Sequence, residues 1–237
     1  MRVRAAFLCL ALVACGGSSP SSPPAAPVGL DCRGTGAPTV LLLAGGREAL
    51  STWATLRDRL GDVHTCAFDY PGVGANPAGT APMTPRAVAD ALYAALFAAH
   101  VAAPYVAVGH SLAGLTTRVL VAAHPNDFAA AVLFDPTPVE VIDQATFDGL
   151  GWDAAATRTQ VAAATDWPAI PLTILLHDPA VAIRGGSTAT AEKAWRAGAD
   201  AVARLTARSR VSVVAGTTHF LYTDKPDVAA EAIRSAT

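Results

Sequence analysis

The sequence is poor in charge and carries no run of charges of one sign. Charged residues make up 15% of the 237 residues, and the formal net charge is −2 at pH 7. Such a chain has no basic surface with which to neutralise phosphates, which argues against nucleic acid as a partner. The metal-binding patterns H-E-x-x-H and C-x-x-C are also missing. We therefore expect neither a metal nor any other cofactor.

Apolar sequence is abundant, at 52% of the residues, which is enough for one sizeable core. Short apolar runs alternate with longer stretches in which apolar residues recur every three or four positions. The runs cover residues 39–44, 63–68, 105–108, 130–134, 172–176 and 211–214, and the longer stretches cover 52–60, 84–100, 112–123, 192–207 and 226–233. Buried strands that alternate with helices predict an α/β fold, with a mostly parallel central sheet and helices on both faces. One domain over residues 28–237 accommodates this pattern.

The amino terminus has a different character from the predicted domain. Arg2 and Arg4 precede an apolar run over residues 5–14. The run is too short to cross the ~30 Å core of a bilayer as a helix. A basic start followed by a short apolar run is typical of a secretory signal, which we place at residues 1–14.

Residues 12–15, Leu-Val-Ala-Cys, resemble the lipobox of bacterial lipoproteins. The resemblance implies cleavage before Cys15 and attachment of lipid to its sulfur, although an ordinary cleaved signal peptide that contains a cysteine is the alternative. The Gly/Ser/Pro-rich residues 15–27 cannot pack a core and are interpreted as a tether. The resemblance further implies an extracytoplasmic protein anchored to a bacterial membrane. Gly16 after the cysteine favours the outer membrane in a Gram-negative cell.

A strand-like run ends and a helical pattern begins at Ser111. Ligands of parallel α/β sheets bind beyond the carboxyl ends of the strands, so a polar residue at such a joint is a candidate for chemistry. The sequence Gly109-His110-Ser111-Leu112-Ala113-Gly114 resembles the nucleophile elbow of the α/β-hydrolase family, with Ala113 in place of the last glycine of G-x-S-x-G. An ordinary turn in which Ser111 caps the helix is the plain alternative.

Other landmarks of this family occur in its order between Leu30 and Ile233. Residues 39–46 resemble its third strand and oxyanion loop, and residues 68–76 resemble the turn after its fourth strand. Residues 216–220 resemble the segment that carries its catalytic histidine. The resemblance implies that His219 is the general base and that the amides of Gly46 and Leu112 form the oxyanion hole. His110 is expected to shape the pocket, and His64, His100, His124 and His177 are assigned structural roles.

Two aspartates compete for the role of the acid that orients His219. Asp135 follows the family's sixth strand, and Asp178 follows its seventh. Many family members use the seventh-strand acid, but the usual G-x-x-D pattern is missing around Asp178. The Phe-Asp-Pro-Thr-Pro segment, the cysteines and the Trp195 helix resemble a subgroup with a recurring aspartate after the sixth strand. We favour Asp135, with Asp178 as the alternative acid, while either residue could simply cap its loop.

The same resemblance implies roles for the cysteines of the domain and for residues 136–170. Cys32 and Cys66 would lie on adjacent strands and form a disulfide, the alternative being two buried free thiols. Residues 136–170 would form a small helical lid between the sixth and seventh strands, over a cleft for an acyl group. A helix packed at the sheet edge is the alternative.

The predicted function is that of a lipid-anchored serine hydrolase. It would cleave small carboxylic esters through an acyl-enzyme, and thioesters, lactones and amides can follow the same route. A non-catalytic surface lipoprotein that binds a small ligand or partner is the alternative from another class of function.

Overall fold

The computed structural model describes residues 29–141 and 143–237, so the predicted signal peptide, Cys15 and the tether lie outside these ranges. Seven strands form one sheet in the order β1-β3-β2-β4-β5-β6-β7. The strands are β1 (Leu30–Arg33), β2 (Thr35–Leu43), β3 (Val63–Phe68), β4 (Tyr105–His110), β5 (Phe128–Phe134), β6 (Leu172–Leu176) and β7 (Ser209–Val213). Only the pairing of β1 with β3 is antiparallel within this sheet. The predicted mostly parallel sheet with helices is therefore confirmed.

The helices follow the strands in the order that the sequence pattern indicates, with four further short helices. A 3₁₀ turn (Leu50–Trp53) precedes α1. The helices are α1 (Ala54–Leu60), α2 (Pro85–Ala98), α3 (Ala113–Ala123), α4 (Gln144–Gly149), α5 (Ala154–Ala163), α6 (Pro179–Arg184), α7 (Ala189–Ala203), α8 (Leu221–Asp224) and α9 (Pro226–Arg234). None of the helices in the described ranges is long and apolar enough to cross a membrane.

Two apolar layers cover the sheet because successive strand residues point to opposite faces. In β2, Leu41 and Leu43 pack in the layer that contains the apolar faces of α2 and α3. Val40 and Leu42 pack in the other layer, with α1 and α9. A strand buried on both faces must be apolar at every position, which explains the unbroken apolar runs in the sequence.

The segment between β5 and β6 contains helices α4 and α5. Helix α5 packs against α2 and α3. Residues 148–152, at the end of α4 and beyond it, instead line a cavity. Phe147 and Trp152 are buried, and the backbone of Met83 exchanges hydrogen bonds with Gly151 and Asp153 at 2.8 and 2.9 Å. The segment is thus anchored to the loop before α2, and it both packs on helices and borders the cavity.

Cys32 of β1 and Cys66 of β3 lie opposite each other in the antiparallel register and form a disulfide. The bond joins the edge strand to the sheet across 34 residues of sequence. It lies far along the chain from the polar residues at the carboxyl ends of β4 to β7.

Candidate active site

Ser111 occupies a strained turn between β4 and α3. Its φ is +52°, a conformation uncommon for residues other than glycine. Two nearby glycines leave no space for a side chain. A Cβ on Gly109 would lie 2.5 Å from the Thr117 Oγ1, and one on Gly114 would lie 2.8 Å from the Pro136 Cβ. The Ser111 amide donates to the Phe134 carbonyl at 3.0 Å. The turn is therefore tied to the next strand while the serine remains partly exposed.

Ser111, His219 and Asp135 are joined by hydrogen bonds. The Ser111 Oγ lies 2.8 Å from the His219 Nε2, and the His219 Nδ1 lies 2.5 Å from the Asp135 Oδ2. An ionised carboxylate only accepts hydrogen bonds, so the His219 Nδ1 carries a proton and donates it. The Nε2 of a neutral His219 is then free to accept the Ser111 hydroxyl proton. This arrangement suits an activated serine nucleophile.

Asp135 is completely buried and has several donors around it. Its φ of +47° turns it away from the strand direction of β5, and its amide donates to the Leu175 carbonyl at 2.7 Å. Besides His219, its carboxylate accepts from the Trp195 Nε1 at 3.1 Å and from His177. Burial raises the pKa of Asp135, but the hydrogen bonds and charges of His177 and His219 outweigh it and leave the pKa lowered. The group is therefore a carboxylate at neutral pH.

Asp178, the alternative acid, has other partners. Its carboxylate accepts from the amides of Ala180 at 2.9 Å and Gly216 at 2.8 Å. These backbone hydrogen bonds lower its pKa, that of Gly216 most strongly. No hydrogen bond joins it to His219 within the described part of the chain. Asp178 thus caps α6 and holds the loop that leads to His219.

The loops that carry the two amides expected to form an oxyanion hole lie close together. A Cβ added to Gly46 would lie 3.3 Å from the Leu112 Cδ2, which shows how near the two loops are. Among the described residues, neither the Gly46 amide nor the Leu112 amide has a protein acceptor. The Gly45 amide, in contrast, donates to the Glu48 carboxylate at 2.9 Å. Two unpaired donors beside a nucleophile suit an oxyanion.

His110 links the oxyanion loop to the segment that carries His219. It is fully buried, with its Nδ1 3.0 Å from the Glu48 Oε2 and its Nε2 3.0 Å from the His219 carbonyl oxygen. Burial raises the pKa of Glu48, but its hydrogen bond to His110 and the charge of that residue, with smaller contributions from Gly45 and Tyr222, leave the pKa lowered. His110 therefore holds two sides of the site in place, as a residue that shapes the pocket would.

Sequence reasoning missed the contacts that Thr137 and His177 make in this site. The Thr137 Oγ1 lies 3.0 Å from the Ser111 Oγ, and the Thr137 amide donates to the Ser111 carbonyl at 3.1 Å. His177, assigned a structural role, contacts the Asp135 carboxylate and also Glu192. One signal was available for His177, because it directly follows the apolar run of β6 at the edge where Ser111 and His219 lie.

Two cavities border the site. One, of about 460 Å³, is lined by Gly46, Arg47, Leu150 and Trp152 on the side of the oxyanion loop. The other, of about 510 Å³, is lined by His219 and by mainly apolar side chains that include Val141, Val181, Ala182 and Trp195. Each volume is in the range of small-molecule sites. Gly46 and His219 thus each contribute to the wall of a separate cavity.

Two groups of three side chains have potential metal-ligand atoms within 4.8 Å of one another. In the first, Cys32, His64 and Cys66, both sulfurs belong to the disulfide. In the second, Asp135, His177 and His219, both imidazole Nδ1 atoms hydrogen-bond to the carboxylate. In each group these atoms already have partners within the protein.

Comparison with known proteins agrees with the fold. Lipase LipV of Mycobacterium tuberculosis is 38% identical over 102 residues, which is 43% of this chain and 38% of the lipase. An uncharacterized protein of Schizosaccharomyces pombe is 32% identical over 81 residues, which is 34% of this chain and 15% of that protein. The chain thus spans well under two thirds of both curated relatives.

Solved structures resemble the chain over most of its length. A thermophilic esterase from Thermogutta terrifontis has a TM-score of 0.62 and 18% identity, covering 88% of this chain and 92% of the esterase. Est816, described as an N-acyl homoserine lactone degrading enzyme, has a TM-score of 0.66 and 14% identity, covering 88% and 96%. At these identities the likeness shows the fold.

The family comparison rests on a longer segment than the curated relatives do. The model of the alpha/beta hydrolase fold matches residues 38–181, more than half of the chain. This segment includes the Ser111 turn, Asp135 and Asp178. The chain therefore belongs to the α/β-hydrolase fold family.

Proposed function

We propose that this protein is a serine hydrolase that cleaves carboxylic esters through an acyl-enzyme. The observation that carries the proposal is the hydrogen-bonded series from the Ser111 Oγ through His219 to Asp135, at 2.8 and 2.5 Å. Its position beside the unpaired amides of Gly46 and Leu112 supports the same reaction. The esterases and lipases among the similar proteins support the class of reaction.

Acylation begins when the Ser111 Oγ attacks the ester carbonyl carbon and His219 takes its proton. Asp135 stabilises the resulting imidazolium, and the two unpaired amides donate to the oxyanion. Because the Ser111 proton points to His219, the Thr137 hydroxyl donates to the Ser111 Oγ and fixes its direction. His219 then protonates the departing alkoxide, and the alcohol leaves the acyl-enzyme.

Deacylation repeats these steps with water as the nucleophile. His219 removes a proton from the water, which attacks the acyl carbon under the same oxyanion donors. Collapse of the second tetrahedral intermediate returns the proton to the Ser111 Oγ and releases the carboxylic acid. Thioesters, lactones and amides fit the same sequence of bonds.

The two cavities give the two halves of the ester separate places. The alcohol must lie against His219, because that residue protonates it, so we assign it to the cavity lined by Val181 and Trp195. The acyl group is assigned to the cavity lined by Gly46, Arg47 and Leu150, on the side of the oxyanion loop. This assignment predicts a preference for apolar alcohols.

A fluorophosphonate probe tests the proposed activity, because it labels only an activated serine. We expect the mature protein to be labelled and to hydrolyse p-nitrophenyl esters from acetate to palmitate with a chain-length optimum. Ser111→Ala should abolish labelling and lower kcat at least ~10⁴-fold. Ser235→Ala, near the carboxyl end, is the matched control. An unlabelled wild type would favour the non-catalytic ligand-binding lipoprotein.

The proposed location rests on the amino-terminal sequence alone. Cleavage before Cys15 and lipidation of its sulfur would anchor the domain outside the cytoplasm through the tether at residues 16–27. Detergent phase partitioning of the full chain tests this: the wild type should enter the detergent phase. Cys15→Ser should remain in the aqueous phase, and equal partitioning of the two would refute the anchor.

A further inference from the structure

Asp135 is shared between two histidines. The His177 Nδ1 lies 2.8 Å from one oxygen of the Asp135 carboxylate and 2.7 Å from the other. The His177 amide also donates to this carboxylate, at 3.2 Å. His177 therefore contacts both carboxylate oxygens, including Oδ2, which also accepts from His219.

The other nitrogen of His177 faces a second carboxylate. The His177 Nε2 lies 2.6 Å from the Glu192 Oε2, and Ser187 donates to the other oxygen of Glu192. Because ionised carboxylates accept only, both nitrogens of His177 must carry protons, and the ring is an imidazolium. The hydrogen bond to Asp135 raises the pKa of His177 to about 9 against the opposing effect of burial, with further contributions from the charges of Asp135 and Glu192.

We propose that His177 is a positioning residue that fixes Asp135 and sets the pH at which His219 becomes a base, and that Glu192 limits this effect. The inference rests on the proposed function, since it concerns the same serine hydrolase site. It adds a pair of residues, on the loop after β6 and on α7, that touch neither the nucleophile nor the oxyanion donors.

The sign of the effect follows from the charges. The ring nitrogens of His177 and His219 and the Asp135 carboxylate lie within 4.8 Å of one another. A positive His177 disfavours a second positive charge on His219, whereas Asp135 favours it. Glu192, on the far side of His177, offsets part of the His177 charge. The net charge of Asp135, His177 and Glu192 is thus −1, and each substitution changes it in a known direction.

Other charged or titratable groups face His219 from the remaining elements. His110, at the end of β4, has its ring centroid 4.7 Å from that of His219, and Glu48 of the oxyanion loop binds His110. Asp224 of α8 accepts from the Thr218 amide, beside His219. Asp178 follows His177 but is bound to backbone amides. These groups are the same in every variant below, so differences between variants report on His177 and Glu192.

Three substitutions separate the hydrogen bond of His177 from its charge. In His177→Asn the amide nitrogen takes nearly the place of Nδ1, so the donor to Asp135 remains while the charge is lost. In His177→Gln the amide nitrogen takes nearly the place of Nε2, so the contact with Glu192 remains and the donor to Asp135 is lost. Glu192→Gln keeps an acceptor for His177 and removes the negative charge.

The pH dependence of kcat/KM for a p-nitrophenyl ester gives the readout, because its acidic limb reports protonation of the free enzyme's base. For His177→Asn we expect this limb to move to higher pH by about one unit or more, because a positive charge under 5 Å away is lost, and the plateau kcat should fall less than in His177→Gln. For His177→Gln we expect the same direction and a plateau kcat lowered by ~10-fold or more, because Asp135 loses an orienting donor. For Glu192→Gln the limb should move to lower pH, by a smaller amount.

Matched controls use the same substitutions at exposed sites. His100→Asn is tolerated by the φ of +55° at that position, and Glu231→Gln lies on α9. Both control variants should leave the acidic limb of the kcat/KM profile at the wild-type pH. Opposite shifts for His177→Asn and Glu192→Gln support the inference. If the acidic limb lies at the same pH in the wild type, His177→Asn and Glu192→Gln, the inference is overturned. A wild type that the fluorophosphonate probe does not label overturns the proposed function itself.

A folding failure of one variant does not end the test. If His177→Asn does not fold, Glu192→Gln decides alone: a limb at lower pH supports the inference, and an unmoved limb overturns it. A fluorophosphonate labelling rate measured across the same pH range gives an independent position for the limb.

Discussion

Replacing Asp135 by asparagine should trap His219 in the wrong tautomer. The Asp135 Oδ1 accepts from the His177 amide and the Trp195 Nε1 at 3.2 and 3.1 Å, while the His177 Nδ1 lies 2.8 Å from Oδ1 and 2.7 Å from Oδ2. The carbonyl oxygen of the new amide will take the Oδ1 position, because the His177 amide and the Trp195 Nε1 donate to that oxygen alone. Its NH₂ group then lies where Oδ2 stood, 2.5 Å from the His219 Nδ1. Two donors cannot face each other, so His219 must move its proton to Nε2.

The size of the loss follows from this tautomer. With a proton on Nε2, His219 donates towards Ser111 and cannot remove the serine proton. A triad held in that state loses about 10⁴-fold in kcat, equivalent to about 5 kcal/mol of transition-state stabilisation. Binding of the ester should change little, because Asp135 lies behind the imidazole and is fully buried.

Steady-state hydrolysis of a p-nitrophenyl ester at neutral pH measures the change, and Asp178→Asn is the matched control. The Asp178 carboxylate accepts from the backbone amides of Ala180 and Gly216, and in the described part of the chain it has no hydrogen bond to His219. Asparagine is as good a helix cap as aspartate, so this substitution should leave both the folding stability and kcat near the wild-type values. A collapse of kcat in Asp178→Asn, with activity retained in Asp135→Asn, would refute this interpretation of the site.

Three further predictions concern stability and specificity. Replacing both Cys32 and Cys66 by alanine removes a crosslink across 34 residues. The free energy of unfolding should fall by about 3–4 kcal/mol, which lowers Tm by about 10 °C without changing kcat/KM. An unchanged Tm in a calorimetric scan would contradict this prediction. Val181→Trp fills the cavity beside His219, so kcat/KM for esters of bulky alcohols should fall about tenfold relative to methyl esters. The control Val228→Trp, on exposed α9, should show no such selectivity, and equal losses for both kinds of ester would disprove the assignment of the cavity. The pKa of His177 is raised from 6.5 to about 9, so the stability that its charge contributes is complete below pH 6.5 and is lost as pH rises through about 9. The free energy of unfolding, measured with urea below pH 6.5 and above pH 9, should fall with rising pH in the wild type but not in His177→Asn. An equal fall in both proteins would refute the contribution of the His177 charge to stability.

The order of strands and the joints between strands and helices could be predicted from the sequence because local patterns encode them. The apolar runs at 63–68 and 172–176 have the bounds of β3 and β6. Ser111 and His219 stand out because each follows a strand-like apolar run, and the structure places the Ser111 Oγ 2.8 Å from the His219 Nε2. The short helices α6 and α8 were not predicted, since four to six residues are too few for a helical period to show.

The choice between the two acids could not be made from local sequence. Asp135 and Asp178 both follow a buried strand and both precede a proline. What separates them in the structure is backbone conformation, because the positive φ at Asp135 directs its carboxylate to His219. The contact between His177 and Glu192 depends on how α7 packs against the end of β6. Neither property leaves a pattern in a single sequence.

The Ser111 amide donates to the Phe134 carbonyl and the Asp135 amide donates to the Leu175 carbonyl, so both residues extend the hydrogen-bond ladder of the central strands. The reacting groups thus share the stiffness of the sheet. The walls of the two cavities are different, because short helices α4 and α6 and their loops contribute to them. Over evolutionary time, substitutions in these walls can change which ligands fit while Ser111, Asp135 and His219 keep their alignment.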